Sequence, residues 1–304
     1  MQLKAALTAA VERLEADEIG SPRLNAETLM MFVLGVNRAY LYAHPELELN
    51  SEEQSRYDEA VAQRATGKPS QYITGHQEFW GLDFVVSPAV LIPRPETEHL
   101  VETVVEIIRE QQGQLASTLK LVDVGTGSGC VALALANELP SAQVYATDVS
   151  TDALEIAKAN AARLQMADRI SFHHCDVLRP VEPGSPDIPS DIDFVASNPP
   201  YVAFSEADKV QRSVKEFEPQ AAVFAGEWGL DIITRLIAEA GAALRDGGWL
   251  AMEIGYSMRD QVLALLDPTL WEDVRVVPDL QGIPRVIAAR KALAAGSKAG
   301  TPGG

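Results

Sequence analysis

Between Leu119 and Ser197 the chain alternates two kinds of apolar run: LKLVDV, AQVYATDV, ISFHHCDV and DFVAS have strand character, while VALALANEL and DALEIAKANAARLQ between them carry helical spacing. Strands separated by helices cannot pair as hairpins, so the spacing predicts a parallel sheet covered on both faces. The pattern continues with a helix from about Leu230 to Leu244, a strand WLAMEIG after Gly247-Gly248, and two last strands, VRVV and RVIAAR, expected as a hairpin at the sheet edge. The expected class is α/β with a Rossmann-like sheet.

A chain of 304 residues exceeds one ordinary domain, and its first quarter has a different period. Leu3, Leu7, Val11 and Leu14 share one helical face, and Ala26, Leu29, Met30, Val33 and Leu34 share a second. Tyr57, Ala60, Val61 and Arg64 suit a later helix that starts near Ser51 and stops at Gly67-Lys68-Pro69. Residues 1–75 are therefore expected as a small helical bundle, serving structure or partner recognition. Residues 76–93, with the runs EFWGLDFVV and AVLIP separated by Ser87-Pro88, are expected as a β-hairpin connector. Residues 94–291 form the expected catalytic domain, and 292–304, without apolar anchors, a disordered tail.

The formal charge of −18 opposes association with a polyphosphate backbone, which is driven by Lys and Arg displacing counterions. No stable nucleic-acid partner is expected. The two cysteines, Cys130 and Cys175, form no Cys-x-x-Cys, and no histidines cluster at ligand spacing, so neither a disulfide framework nor a metal site is expected. His173 and His174 sit within a strand run and suit packing or surface roles. The opening MQLKAALTAAVERLE acquires Glu12 and Glu15 before a signal-like apolar core is complete, and no run approaches membrane-spanning length. A cytoplasmic protein with no membrane partner is expected.

Asp123-Val124-Gly125-Thr126-Gly127-Ser128-Gly129 follows a strand and opens a helix, where backbone without Cβ atoms turns tightly and approaches a ligand closely. A dinucleotide fingerprint would place its third small residue at position 130, which is Cys130; the additional glycine stands at Gly129 instead. Asp148 ends the next strand, placed to accept both ribose hydroxyls, and Asp176 ends the third, suited to an adenine amino group. S-adenosylmethionine, with ribose and adenine but no phosphate, fits these residues.

Asn198-Pro199-Pro200-Tyr201 follows DFVAS. Two prolines fix φ and supply no N–H, and each pushes its predecessor to an extended conformation, so the segment is rigid. An amide or aromatic NH₂ is a poor nucleophile because its lone pair is delocalised. The Asn198 side-chain oxygen and the Pro199 carbonyl can each accept one of its N–H bonds, orienting the nitrogen and favouring its pyramidal form, while Tyr201 stacks beside it. No strong base is needed, since a methylated amide nitrogen loses its proton readily.

These residues resemble the release-factor glutamine methyltransferases, the HemK or PrmC family. The resemblance also runs through Gly67-Lys68-Pro69, Gln71-Tyr72-Ile73, Gly75, Phe79-Trp80-Gly81 and Leu91-Ile92-Pro93-Arg94-Pro95-Glu96-Thr97-Glu98. The last stretch is similar to the release-factor branch and differs from the ribosomal-protein branch; Pro95 with its acids also suits a helix start. The resemblance implies a class I S-adenosylmethionine-dependent methyltransferase sheet. It implies cofactor binding by Gly125, Thr126, Gly127, Ser128, Gly129, Asp148, Asp176, Val177 and Asn198, with Val177 standing where some relatives carry an aromatic. It further implies that Asn198, Pro199, Pro200 and Tyr201 hold the glutamine of the Gly-Gly-Gln loop of class 1 peptide chain release factors, for methylation at N5. Phe79, an aromatic in a connector, is assigned to packing. Amino-methylation of ribosomal-protein glutamine or of adenine in nucleic acid uses the same Asn-Pro-Pro-Tyr geometry, and a non-catalytic cofactor-binding scaffold is the reading from another class.

Overall fold

The computed structural model describes residues 1–111, 118–182 and 188–293. Of the expected tail, 292–304, the residues from 294 onward lie outside the described residues, while the Ala292 amide donates to the Leu270 carbonyl at 2.8 Å. The chain forms two compact units, one of Met1–His76 with Val86–Pro88 and Val210–Phe217, the other of the remainder.

The first unit holds α1 (Leu3–Ala16), α2 (Pro22–Leu34), α3 (Arg38–Ala43), α4 (Ser51–Ala65) and α5 (Ser70–Thr74), with a short helix from later in the chain, α9 (Arg212–Phe217). Leu3, Leu14, Leu29, Met30 and Tyr57 are buried together, and the Tyr57 hydroxyl donates to the Ala26 carbonyl at 3.1 Å. A capping box starts α4: Asn50 Oδ1 accepts the Glu52 and Glu53 amides at 2.9 Å, and Glu53 accepts the Asn50 amide at 2.9 Å. Gly35, at φ +65°, ends α2.

The second unit contains a hairpin, β1 (His76–Phe79, from Gln77 on) and β2 (Leu82–Val85), then α6 (Glu98–Glu110), β3 (Lys120–Val124), α7 (Cys130–Glu138), β4 (Gln143–Asp148), α8 (Thr151–Arg163), β5 (Ile170–Asp176) and β6 (Arg179–Pro180). It continues with β7 (Ile192–Ser197), α10 (Gln220–Val223), α11 (Asp231–Ala243), β8 (Leu244–Glu253), α12 (Arg259–Leu265), β9 (Trp271–Pro278) and β10 (Pro284–Lys291). The large sheet has the order β6-β5-β4-β3-β7-β8-β10-β9, parallel from β5 through β8, with the β9–β10 hairpin at one edge.

Alternation along the strands builds two cores. Leu121, Phe194, Trp249, Val286 and Ala288 pack with α6 and α7, while their neighbours Val122, Val195, Leu250, Ile287 and Ala289 pack with α11 and α12. Because β3 lies between β4 and β7, the connections leaving it diverge, and a crevice opens at the carboxyl ends of these strands.

In the connector a two-stranded hairpin, β1 with β2, turns at Trp80-Gly81 within the first run, and both turn residues have positive φ (+53° and +69°). The Trp80 amide donates to Glu98 at 2.8 Å and its indole N–H to Glu138 at 3.0 Å, which holds the bulky residue in this conformation. AVLIP forms no strand: Glu218 takes the Ile92 amide at 3.3 Å and the Arg94 guanidinium at 2.5 Å, so a carboxylate replaces the strand partner.

Candidate active site

At the end of β3, Gly125, Gly127 and Gly129 have φ of +72°, +54° and +83°. A Cβ on Gly125 or Gly127 would meet nothing within 4 Å, whereas one on Gly129 would stand 3.2 Å from the Ala157 Cβ and the Leu133 Cδ1. The first two glycines leave open room and the third lets α7 pack closely on α8. Buried Asp123 shapes the loop, its Oδ2 accepting from the Thr126 hydroxyl at 2.7 Å and the Ala132 amide at 3.0 Å. Burial pushes the Asp123 carboxyl up to about 7.

Asp148, at the end of β4, accepts the Gly127 amide on Oδ2 and the Ser150 amide on Oδ1, both at 2.9 Å. Burial raises its pKa and these amides oppose the rise. A carboxylate accepts about four hydrogen bonds, so lone pairs remain for two hydroxyls. Asp176 ends β5 half-exposed and pairs with Arg235 at 2.9 Å. Val177 has φ +60°, a genuine outlier for a β-branched residue. The Thr147 hydroxyl donates to its carbonyl at 2.9 Å and holds it there.

Asn198 leaves β7 with its Nδ2 donating to the Thr97 hydroxyl at 3.0 Å. Thr97 donates in turn to Glu253 Oε2 at 2.6 Å, and the Tyr201 hydroxyl to Glu253 Oε1 at 3.3 Å. Burial pushes the Glu253 carboxyl up to about 7, and burial with the nearby Glu253 raises the Tyr201 phenol. Behind the segment, a Cβ on Gly229 would lie 2.3 Å from the Tyr201 carbonyl oxygen.

One cavity brings together Gly125, Thr126, Gly127, Ser128, Asp148, Asp176, Val177, Asn198, Pro199 and Pro200. Gly129 and Tyr201 do not line it: the glycine faces the α7–α8 contact, and the tyrosine ring packs in the core beside α11 and α12. Thr97, Glu253, Glu218 and Gly229 are the residues that motif reading missed. The visible signal for Glu253 was a lone acid inside the apolar run WLAMEIG.

The charged residues lining the cavity are Asp123, Asp148, Asp176 and Arg94. With Asp123 half-neutralised by burial and Asp176 paired to Arg235, Asp148 is the lining carboxylate left to face a ligand, which opposes a pyrophosphate and suits a nucleoside whose charged groups include cations. Open glycines beside Asp148 complete the fit to S-adenosylmethionine. Among the described residues no cluster of His, Cys, Asp and Glu could hold a metal ion, and no helix is long and apolar enough to cross a membrane.

Residues 5–75 match the family model described as the PrmC N-terminal domain, and residues 104–224 the methyltransferase small domain. The release factor glutamine methyltransferase of Koribacter versatilis is 54% identical over 292 residues, spanning 96% of this chain and 99% of that one. The enzyme of the same name from Nitratidesulfovibrio vulgaris is 40% identical over 294 residues, 96% of each chain. Among solved structures, the hMettl16 catalytic domain in complex with MAT2A 3'UTR hairpin 6 shares the fold at a TM-score of 0.52 and 18% identity, covering 85% of this chain and 93% of that one.

Proposed function

Since the chain belongs to the release factor glutamine methyltransferase family, we propose that Asn198-Pro199-Pro200-Tyr201 holds the Gly-Gly-Gln glutamine of a class 1 peptide chain release factor while its side-chain nitrogen is methylated at N5. S-adenosylmethionine, when bound, supplies an electrophilic methyl group. Gly125 and Gly127 give it backbone room and Asp148 accepts from its ribose; Asp176 and Val177 border the adenine. Gly129 serves the same site through the packing of α7. Such a substrate is met in the cytoplasm, and that is where this reading puts the enzyme.

The observation that carries the assignment is the state of Asn198. Its Nδ2 is taken by Thr97, and among the described residues no group bonds its Oδ1. That oxygen and the Pro199 carbonyl are two acceptors on one rigid segment, matching the two N–H bonds of a primary amide. Accepting both orients the nitrogen and favours the pyramidal form, whose lone pair is available; positioning carries the step. Tyr201 acts by fixing the segment through Glu253. We further propose that the helical unit of residues 1–75 recognises the release factor, since the residues assigned to the cofactor all lie elsewhere.

Incubation of the protein with a recombinant class 1 release factor and S-adenosylmethionine, followed by peptide mass mapping, tests the reading. The Gly-Gly-Gln peptide should gain about 14 Da, one methylene. Transfer to a different residue, or to RNA instead, would overturn it.

A further inference from the structure

Thr97 belongs to the LIPRPETE stretch, whose acids and prolines suit a helix start but which leaves the threonine without a task. It is 2% exposed and stands between Asn198 and Glu253. Its hydroxyl donates to Glu253 Oε2 at 2.6 Å and accepts from Asn198 Nδ2 at 3.0 Å. Glu253, also 2% exposed, ends β8 with its other oxygen accepting from Tyr201 at 3.3 Å. A buried carboxyl group needs such donors.

A hydroxyl has one proton. With that proton committed to Glu253, Thr97 can only accept, and of the two ends of a carboxamide only the NH₂ can face it. The NH₂ and the oxygen of an asparagine are similar in size, so shape alone would let the amide rotate by half a turn. The rotated state sets lone pairs of Thr97 and Asn198 against each other. It also turns a donor toward a substrate NH₂ that needs an acceptor.

We propose that Thr97, held by Glu253, is a positioning residue that locks the amide orientation of Asn198 so that Oδ1, not Nδ2, is presented to the substrate amide. The lock rests on the reading of Asn198 as the acceptor for that amide. Glu253 serves it as a carboxylate, or as a neutral carboxyl whose proton sits on Oε1 and leaves Oε2 as the carbonyl oxygen for Thr97.

The test is a double-mutant cycle on the full chain, with single-turnover methyl transfer to a release factor, cofactor affinity by calorimetry, and thermal melting measured for each variant. Thr97→Val keeps the shape and deletes the acceptor; Thr97→Ser keeps the hydroxyl. Thr97→Val should slow transfer at least about tenfold, the worth of one hydrogen bond, with cofactor affinity held within about threefold. Thr97→Ser should stay within about threefold of wild type. In an Asn198→Ala background, Thr97→Val should change transfer by less than about twofold, since the lock then has nothing to hold. Wild-type transfer by Thr97→Val, or an equal loss in both backgrounds, overturns the lock. Should Thr97→Val fail to fold, Thr97→Val with Glu253→Gln removes the buried charge that Thr97 had partnered, keeps an acceptor for the Tyr201 hydroxyl, and carries the same expectations and the same refutation. Undiminished transfer by Asn198→Ala alone would instead sink the assignment of Asn198, and it is scored without reference to Thr97.

Discussion

Gly229→Ala should disable methyl transfer from behind the site. At φ +74°, an added Cβ would lie 2.3 Å from the Tyr201 carbonyl oxygen and 3.1 Å from its carbon. An ordinary C···O contact is about 3.3–3.6 Å, so alanine must drive the two segments apart by roughly 1 Å. The carbonyl cannot swing aside cheaply, because the next residue is tied on both sides: the Val202 amide donates to Val223 and the Ala225 amide to Val202, each at 3.0 Å. The left-handed backbone adds about 1–2 kcal/mol against alanine. A displacement of about 1 Å in a positioning group can cost on the order of 10²-fold in rate. Single-turnover transfer should therefore fall about a hundredfold, while cofactor affinity stays within about twofold, because the glycine loop and Asp148 lie on other strands. Transfer within about threefold of wild type would refute the claim that Gly229 holds the segment in register. Parallel loss of cofactor binding would show a broader collapse.

Asn198→Ala should lower single-turnover transfer on the order of 10²–10³-fold with cofactor affinity retained, and near-normal transfer would remove it from the chemistry. Asp148→Ala should weaken cofactor binding, each bond to a charged acceptor being worth roughly 1.5–3 kcal/mol, and calorimetry showing unchanged affinity would leave the acid a purely structural tie for Gly127. Burial lifts the Glu253 carboxyl from its ordinary 4.5 to about 7, so the native state keeps a proton there that the unfolded chain has released. The stability this gives is complete below the ordinary glutamate range and is lost as pH rises toward 7. Melting of Glu253→Gln should accordingly decline less than wild type between about pH 5 and 7.5, and parallel declines would contradict the assignment. A chain beginning near residue 77 should bind cofactor like the full chain yet methylate intact release factor much more slowly; equal rates would end the recognition role of the helical unit.

The sheet was legible because each strand carries its own two-faced code. Leu121 and Val122, or Phe194 and Val195, are both apolar, and a strand apolar on both sides must be covered on both sides. Helices α3 and α5, of 6 and 5 residues, escaped because they are shorter than two turns and carry no measurable period. The glycine loop was legible as an open turn, but the task of Gly129 was not, since it depends on Ala157 one helix later.

Glu253 marks the limit more sharply. A lone carboxylate in an apolar strand announces that some partner must exist. Which partner depends on strand order. Parallel pairing of β7 with β8 sets Ser197 opposite Met252, so the next residues, Asn198 and Glu253, emerge at one height on the carboxyl edge. Thr97, 156 residues before Glu253, reaches both from the segment that leads into α6. Strand runs and crossovers in a sequence specify that a parallel sheet forms, but many orders satisfy them. The network around Asn198 exists because β7 is flanked by β3 and β8, which places the glycine loop on one side of the asparagine and its buried anchor on the other.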